Sequence, residues 1–233
     1  MKFARFQCDD GLRILLPRDK ASGVFDIGFN GPQSCKHLIE SLGIPHTEIG
    51  SIFANERPVG TGYLVKNGDT ITVSSSASDS AALGEPKFVL DGHLGRLNSR
   101  LRMLGFDCTY QNDYVDRELV RVSIEEGRIL LTSDRRLLMH KFITAGYLIR
   151  SLEPQTQIRE VVHRFQLRAW IRPFQRCIRC NHLLQAVEKE DIVDRLEPLT
   201  RIYFNEFHIC PACRQIYWKG SHFDKMQRLI SAL

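Results

Sequence analysis

The feature that most constrains this chain is a pair of cysteine turns, Cys177-Ile178-Arg179-Cys180 and Cys210-Pro211-Ala212-Cys213, separated by 29 residues. Each turn offers two thiolates from a tight knuckle, and four thiolates complete a closed tetrahedral zinc site with no position left open for catalysis. A redox role needs only one such pair near a helix N-terminus, and an iron–sulfur cluster of low nuclearity can use the same four ligands; structural zinc is the expected occupant. A region this small buries too little surface to fold alone, so the metal must supply much of its folding free energy. The chain has seven cysteines, an odd number, which reads as metal ligation in a reducing compartment and not as a disulfide framework. Cys8, Cys35 and Cys108 are then lone, inert thiols.

The 233 residues are 43% hydrophobic, enough to fill one large core or two small ones and too many for global disorder. The formal charge of +5 permits a nucleic-acid partner without requiring one. Its distribution is uneven: residues 1–84 hold 8 Lys+Arg against 9 Asp+Glu, and residues 85–233 hold 24 against 18. The basic character thus belongs to the C-terminal two thirds. No run approaches the roughly 18 apolar residues that a bilayer-spanning helix needs, and polar residues follow Met1-Lys2-Phe3 too soon for a secretory signal. No membrane partner and a cytoplasmic setting are expected.

Small polar residues crowd positions 74–84, so a flexible linker is expected over 76–85. Before it, residues 2–6 and 11–16 read as a hairpin, 34–42 as a helix capped by Ser34, and 69–73 as a closing strand after the Asn67-Gly68 turn. That order suggests a β-grasp domain over 1–75. After the linker, strands at 88–90, 106–110, 128–132 and 147–149 alternate with helices, one carrying Leu94, Leu97, Leu101 and Leu104 on a single face and stopped by Gly105, another from about 155 to 165. Such alternation predicts an α/β fold with a parallel sheet and flanking helices over 86–170, followed by a cysteine module over 171–233.

In open parallel sheets the ligand crevice lies beyond the carboxyl ends of the strands. Asp91 follows the first of these strands and Asp134 the third, while Asp116 opens the second helix, with Asp113 and Glu118 competing for its role. Carboxylates brought together there would repel one another or hold a divalent cation, and oxygen donors select Mg²⁺ or Mn²⁺. Such a cation can polarise a phosphoryl oxygen and acidify water, which is phosphodiester hydrolysis chemistry. The plain alternative is that each aspartate merely caps a helix. Thr132 and Ser133 offer hydroxyls beside Asp134, Gly92 permits close approach, and Gly95 keeps the face open. His93 is an outer base, a metal ligand or simply exposed.

Arg96, Arg100 and Arg102 crowd the first helix and Arg135-Arg136 follow the third strand; Arg96 and Arg135 are the expected phosphate contacts. Between 150 and 179 lie seven arginines and two glutamates, with Phe165, Trp170 and Phe174 interleaved, a pattern that can follow a backbone while rings stack on bases. Phe165 reads better as core. Lys219, Ser221 and His222 at a glycine turn offer a cation, a hydroxyl and an imidazole to a phosphate or to the acidic crevice.

The segments 88–92, 94–97, 101–107, 127–137, 176–181 and 217–222, taken in this order, resemble the Mut-seven C-terminal RNase domain family over roughly 86–230. The resemblance implies a PIN-like nuclease fold with an appended zinc ribbon, and metal-dependent RNA cleavage through Asp91, Asp116 and Asp134. His93 departs from the pattern, standing where the family more often has an apolar residue. The first 75 residues look like the ubiquitin-like domain often fused before this family, itself similar to small sulfur carriers. Those carriers act through a free Gly-Gly terminus; here Val73 runs on into Ser74 and a further domain, which leaves protein interaction or substrate presentation as the implied role.

The leading expectation is therefore a Mg²⁺- or Mn²⁺-dependent ribonuclease acting on single-stranded or structured RNA. Asp91 and Asp134 would hold the ion, and Cys177, Cys180, Cys210 and Cys213 a structural zinc. The alternatives are a non-catalytic RNA-binding adaptor and a scaffold that recruits a protein partner through the β-grasp domain.

Overall fold

The structure is a computed structural model that describes residues 1–76 and 84–231. Along the chain, β1 (Lys2–Cys8), α1 (Asp10–Arg13), β2 (Val24–Phe29), α2 (Cys35–Ser41), β3 (Ile49–Ala54), β4 (Arg57–Val59) and β5 (Thr70–Ser75) come first. Then follow β6 (Lys87–Leu90), α3 (Gly95–Met103), β7 (Asp107–Tyr110), α4 (Asp116–Glu125), β8 (Ile129–Thr132), α5 (Arg135–Leu138), β9 (Gly146–Leu148) and α6 (Pro154–Arg164). The chain ends with β10 (Gln185–Val187), α7 (Pro198–Tyr203), β11 (Phe207–Ile209), β12 (Ile216–Trp218) and α8 (Ser221–Ser231). The linker expected over 76–85 falls mostly on 77–83, outside the described residues. Two compact units emerge, one of Met1–Asp79 with Val115–Arg150, the other of Ser80–Tyr114 with Ser151–Leu233.

The first unit contains a five-stranded, β-grasp-like sheet in the order β2-β1-β5-β3-β4, with β1 and β5 parallel and the other pairs antiparallel. Alternation along the strands sends Ala4, Phe6, Ile52, Ala54, Ile71 and Val73 inward, where Leu12, Leu15, Ile39 and Ile44 meet them. A fully buried Phe, Leu or Ile contributes about 1.5–3 kcal/mol, so this is where the sheet's stability resides. Opposite them, Phe3, Val24 and Phe53 share the outer face through the registers Gln7↔Val24, Gln7↔Thr72 and Phe53↔Thr72, and all three are exposed.

The antiparallel partner of β1 is a correction to the sequence reading: it is Val24–Phe29, not residues 11–16. Asp9 explains why, since its Oδ1 accepts the Leu12 N–H at 3.1 Å and starts α1 where a strand was expected. Ser34 caps α2 as expected, its hydroxyl accepting the His37 N–H at 3.2 Å. Gly68, at φ 85°, makes the turn before β5.

The rest of the first unit is α4, β8, α5 and β9, with β8 and β9 parallel in the register Leu131↔Tyr147. Three polar side chains tie these elements to the β-grasp part. Glu48, 2% exposed, accepts the Leu148 N–H at 2.8 Å and pairs with Arg150 at 2.8 Å. His46 lies 2.7 Å from both Glu40 Oε1 and the Ile143 carbonyl. Arg135 donates Nη1 to the carbonyls of Leu15 at 2.9 Å and Gly43 at 3.5 Å.

In the second unit β6 and β7 run parallel, Phe88 opposite Cys108. Leu94, Leu97, Leu101 and Leu104 are all buried, as their spacing predicts, and Gly105 ends the helix at φ 102°. Phe88 meets Phe106 and Phe165 edge-on, with centroids 6.0 and 5.8 Å away, so Phe165 is core. The antiparallel ribbon β10-β11-β12 has its own small core of Ile192, Leu196, Phe207, Ile209 and Ile216, against which Trp218 packs.

Candidate functional site

The two cysteine turns bring Cys177, Cys180, Cys210 and Cys213 together, with all four sulfurs within 4.8 Å of one another. The Sγ atoms of Cys177 and Cys213 are 3.5 Å apart, and those of Cys180 and Cys210 3.3 Å. A tetrahedron with metal–sulfur bonds of about 2.3 Å needs sulfurs about 3.8 Å apart, so the cage is nearly of the right size. Local bonds shape it: Cys177 N–H donates to the His182 carbonyl at 2.8 Å and Cys210 N–H to the Gln215 carbonyl at 2.9 Å. Tyr217 places its hydroxyl 3.1 Å from Cys177 Sγ and accepts the Ile178 N–H at 3.1 Å. Burial opposes the Cys177 thiolate, but Tyr217 and the neighbouring cysteines overcome it and bring this thiol down to about 6. Burial pushes Cys180 and Cys213 up. A soft cation bound by all four would remove that cost by holding each sulfur as thiolate.

This cluster is stitched into the second unit. Arg102, 5% exposed, donates Nε and Nη2 to the Cys108 carbonyl at 3.0 and 2.7 Å, and Nη1 to the carbonyls of Ile178 at 3.2 Å and Arg179 at 2.9 Å. Burial lowers its pKa, while the charges of Cys108, Cys177, Cys180 and Asp107 resist. Arg102 therefore faces inward, not toward a substrate as its helix position had suggested.

Of the three aspartates, Asp91 lies in the second unit and Asp116 and Asp134 in the first. Asp91, half-buried directly after β6, accepts the His93 N–H at 3.4 Å. Asp134, exposed two residues beyond β8, accepts the Arg136 N–H at 2.7 Å and caps α5. Its own N–H donates to Thr132 Oγ1 at 3.0 Å, so the fully buried Thr132 helps fix the turn that presents this carboxylate. Asp116 is exposed in the first turn of α4; its competitor Glu118 accepts the Val115 N–H at 3.4 Å.

The surroundings of Asp91 hold residues that sequence reasoning missed. Tyr110 donates its hydroxyl to the Gly92 carbonyl at 2.7 Å and makes a short contact with Asn112. Burial raises the Tyr110 pKa and the Asp91 charge raises it further. Both glycines exist for this packing: a Cβ on Gly92 would lie 2.6 Å from the Asn112 carbonyl oxygen, and one on Gly95 2.6 Å from the Tyr110 hydroxyl. Gly95 thus accommodates Tyr110 and also lines the groove on α3. The available signal was the glycine spacing itself, which shows that something approaches closely without saying what.

Among the expected substrate contacts, Arg96 is exposed and lines a groove on α3 together with His93, which is also exposed. Arg135 has its Nη1 engaged by the two carbonyls named above. Lys219 is paired with Glu206 at 2.7 Å. Ser221 and His222 open α8; their side chains lie outside the described residues. No helix among the described residues is long and apolar enough to cross a membrane.

Comparison with known proteins adds two findings. A family model described as the Mut7-C RNAse domain matches residues 86–230, and one described as Mut7-C ubiquitin matches residues 1–80. No curated protein and no solved structure matches the chain.

Proposed function

The chain belongs to the Mut7-C RNAse domain family, with the family's ubiquitin-like domain in front, and on that premise we propose that it is a divalent-cation-dependent ribonuclease. The observation that carries this reading is the family match over 86–230, a stretch in which Asp91 and Asp134 each lie within two residues of a parallel strand's carboxyl end. Asp91 and Asp134 are proposed to hold Mg²⁺ or Mn²⁺, whose hard-ion preference suits an all-carboxylate donor set. When bound, such a cation supplies Lewis-acid polarisation of a phosphoryl oxygen and a more acidic water.

The chain's own groups do the rest in this proposal. Asp116 orients the attacking water or completes the ion's shell. Arg96 holds the backbone, and Lys219, Ser221 and His222 are further contacts. Arg135 contributes what its engagement with Leu15 and Gly43 allows. Cys177, Cys180, Cys210 and Cys213 hold a structural zinc, and their closed thiolate set supplies no catalysis. The exposed Phe3, Val24 and Phe53 are proposed to recruit a protein partner.

One observation favours the adaptor reading: Asp134 already serves as a helix cap, a duty that needs no ion. Turnover separates the two. Cleavage of labelled single-stranded RNA with added Mn²⁺ is expected of the wild type, and Asp91→Asn and Asp134→Asn should reduce it at least about 100-fold while RNA binding persists. Binding without cleavage across divalent ions would leave an adaptor, and no RNA affinity even at low salt would leave a protein-interaction scaffold.

A further inference from the structure

Arg96 and Arg100 stand four residues apart on α3, so they share one helix face. That face lines a groove of about 730 Å³ whose far wall is the start of α6, from Leu152 through Pro154 to Gln157. The volume lies within the ~300–1,000 Å³ typical of small-ligand sites. Leu152 is 95% exposed on this wall, an apolar surface beside two guanidinium groups.

The Nη1 of Arg100 is fully buried and has no hydrogen-bond partner. An ionised donor removed from water without an acceptor is among the costliest arrangements a fold can keep. Glu153 is the nearby carboxylate that senses the Arg100 charge, and it does not resolve the problem. Its Oε2 accepts the Thr156 N–H at 2.5 Å and the Thr156 hydroxyl at 3.0 Å. Glu153 is held below the usual carboxylate range first by the Gln155 main chain and then by Thr156, and least by Arg100. The groove is therefore lined by the Arg100 side chain, one of whose nitrogens is buried without an acceptor, by a second cation at its rim and by an apolar side chain opposite. A phosphodiester fits this lining: anionic oxygens suit the two guanidinium groups, with a sugar to lie against the leucine.

We propose that this groove binds a backbone phosphate of RNA, with Arg100 as the anchoring cation and Arg96 as the cation at the rim. The proposal rests on the ribonuclease reading and adds a subsite to it.

The test is equilibrium binding of a fluorescent single-stranded RNA oligomer to the full chain, without added divalent cation, over a series of salt concentrations. Arg100→Ala should weaken binding about ten-fold and lower the slope of log K against log salt by about 0.7, the value for one lost phosphate contact on a single strand. Arg100→Lys, which keeps the charge and loses the fork, should fall between and retain the slope. Arg57→Ala, on an exposed edge strand, controls for the loss of one positive charge. If the wild type binds and Arg100→Ala binds as Arg57→Ala does, the groove assignment is overturned and the ribonuclease reading stands. If the wild type binds no RNA at low salt, both fall together.

Discussion

Asn181 Oδ1 accepts the main-chain N–H of Cys108 at 3.1 Å, and Asn181 Nδ2 donates to Asp107 Oδ1 at 2.8 Å. A residue one position past the first cysteine turn, held at φ 71°, thus satisfies β7 as a neighbouring strand would. Arg102 reaches the same place from α3, and Arg176 adds an ion pair to Asp107 at 3.6 Å. The knuckle, the strand and the helix are consequently one cooperative structure, and its energetics can be tested residue by residue.

Arg102→Ala should destabilise the protein by about 3–5 kcal/mol, because it strips the carbonyls of Cys108, Ile178 and Arg179 of a buried charged donor. Arg102→Lys should recover little, since an ammonium cannot span carbonyls that a planar fork reaches. Asn181→Ala should cost less, about 1–3 kcal/mol, by leaving the Cys108 N–H unsatisfied. Urea unfolding midpoints check all three.

Metal removal should act on the same region. One zinc per chain is expected by elemental analysis, absent in Cys210→Ser. Stripping it with a strong chelator should open the ribbon to limited proteolysis between 177 and 218, while the β-grasp sheet, which has its own core, stays protected. Simultaneous loss of protection in both would show that the metal supports far more than its ribbon.

The turn before β5 carries an acid-sensitive device. Burial raises the Asp69 pKa, but the Lys66 N–H at 2.8 Å, Asn55 at 2.8 Å and Tyr63 at 3.0 Å overcome this and leave it lowered. A lowered folded pKa gives stability that is present above the unfolded value of about 3.9 and is lost as pH falls through the folded value. Urea midpoints of the wild type should therefore drop more steeply below about pH 4 than those of Asp69→Asn.

Gly95→Ala should destabilise by about 1–3 kcal/mol through the contact with the Tyr110 hydroxyl. If that contact is the cause, Tyr110→Phe should relieve part of the penalty, and a double-mutant cycle on thermal unfolding would show a coupling of at least about 0.5 kcal/mol. Strict additivity would place the strain elsewhere.

Much of the fold was legible because its signals are local. The leucine spacing defined α3, Ser34 announced α2, and the two cysteine turns specified a cluster whose two halves are separated by 29 residues. What escaped was set by distant partners. The strand expected at 11–16 lost to the Asp9 cap, and β2 emerged from a stretch without strong alternation. Arg102 and Arg135 look from sequence like surface cations, because nothing local records that carbonyls from another part of the chain await them. Tyr110 and Asn112 were invisible for the same reason: the glycines reveal a close approach, and only the tertiary structure names what approaches.

The hydrogen bonds from Leu148 and Arg150 to Glu48 bear on how this protein can be dissected. Excising the leading segment at the family boundary near residue 80 would remove the buried carboxylate that accepts from the Leu148 amide and the Arg150 guanidinium, and would take His46 from the carbonyl of Ile143. The ubiquitin-like portion is thus a keystone and not a detachable tag, and a shortened nuclease fragment that misbehaves in solution would report a broken joint, not an absent activity.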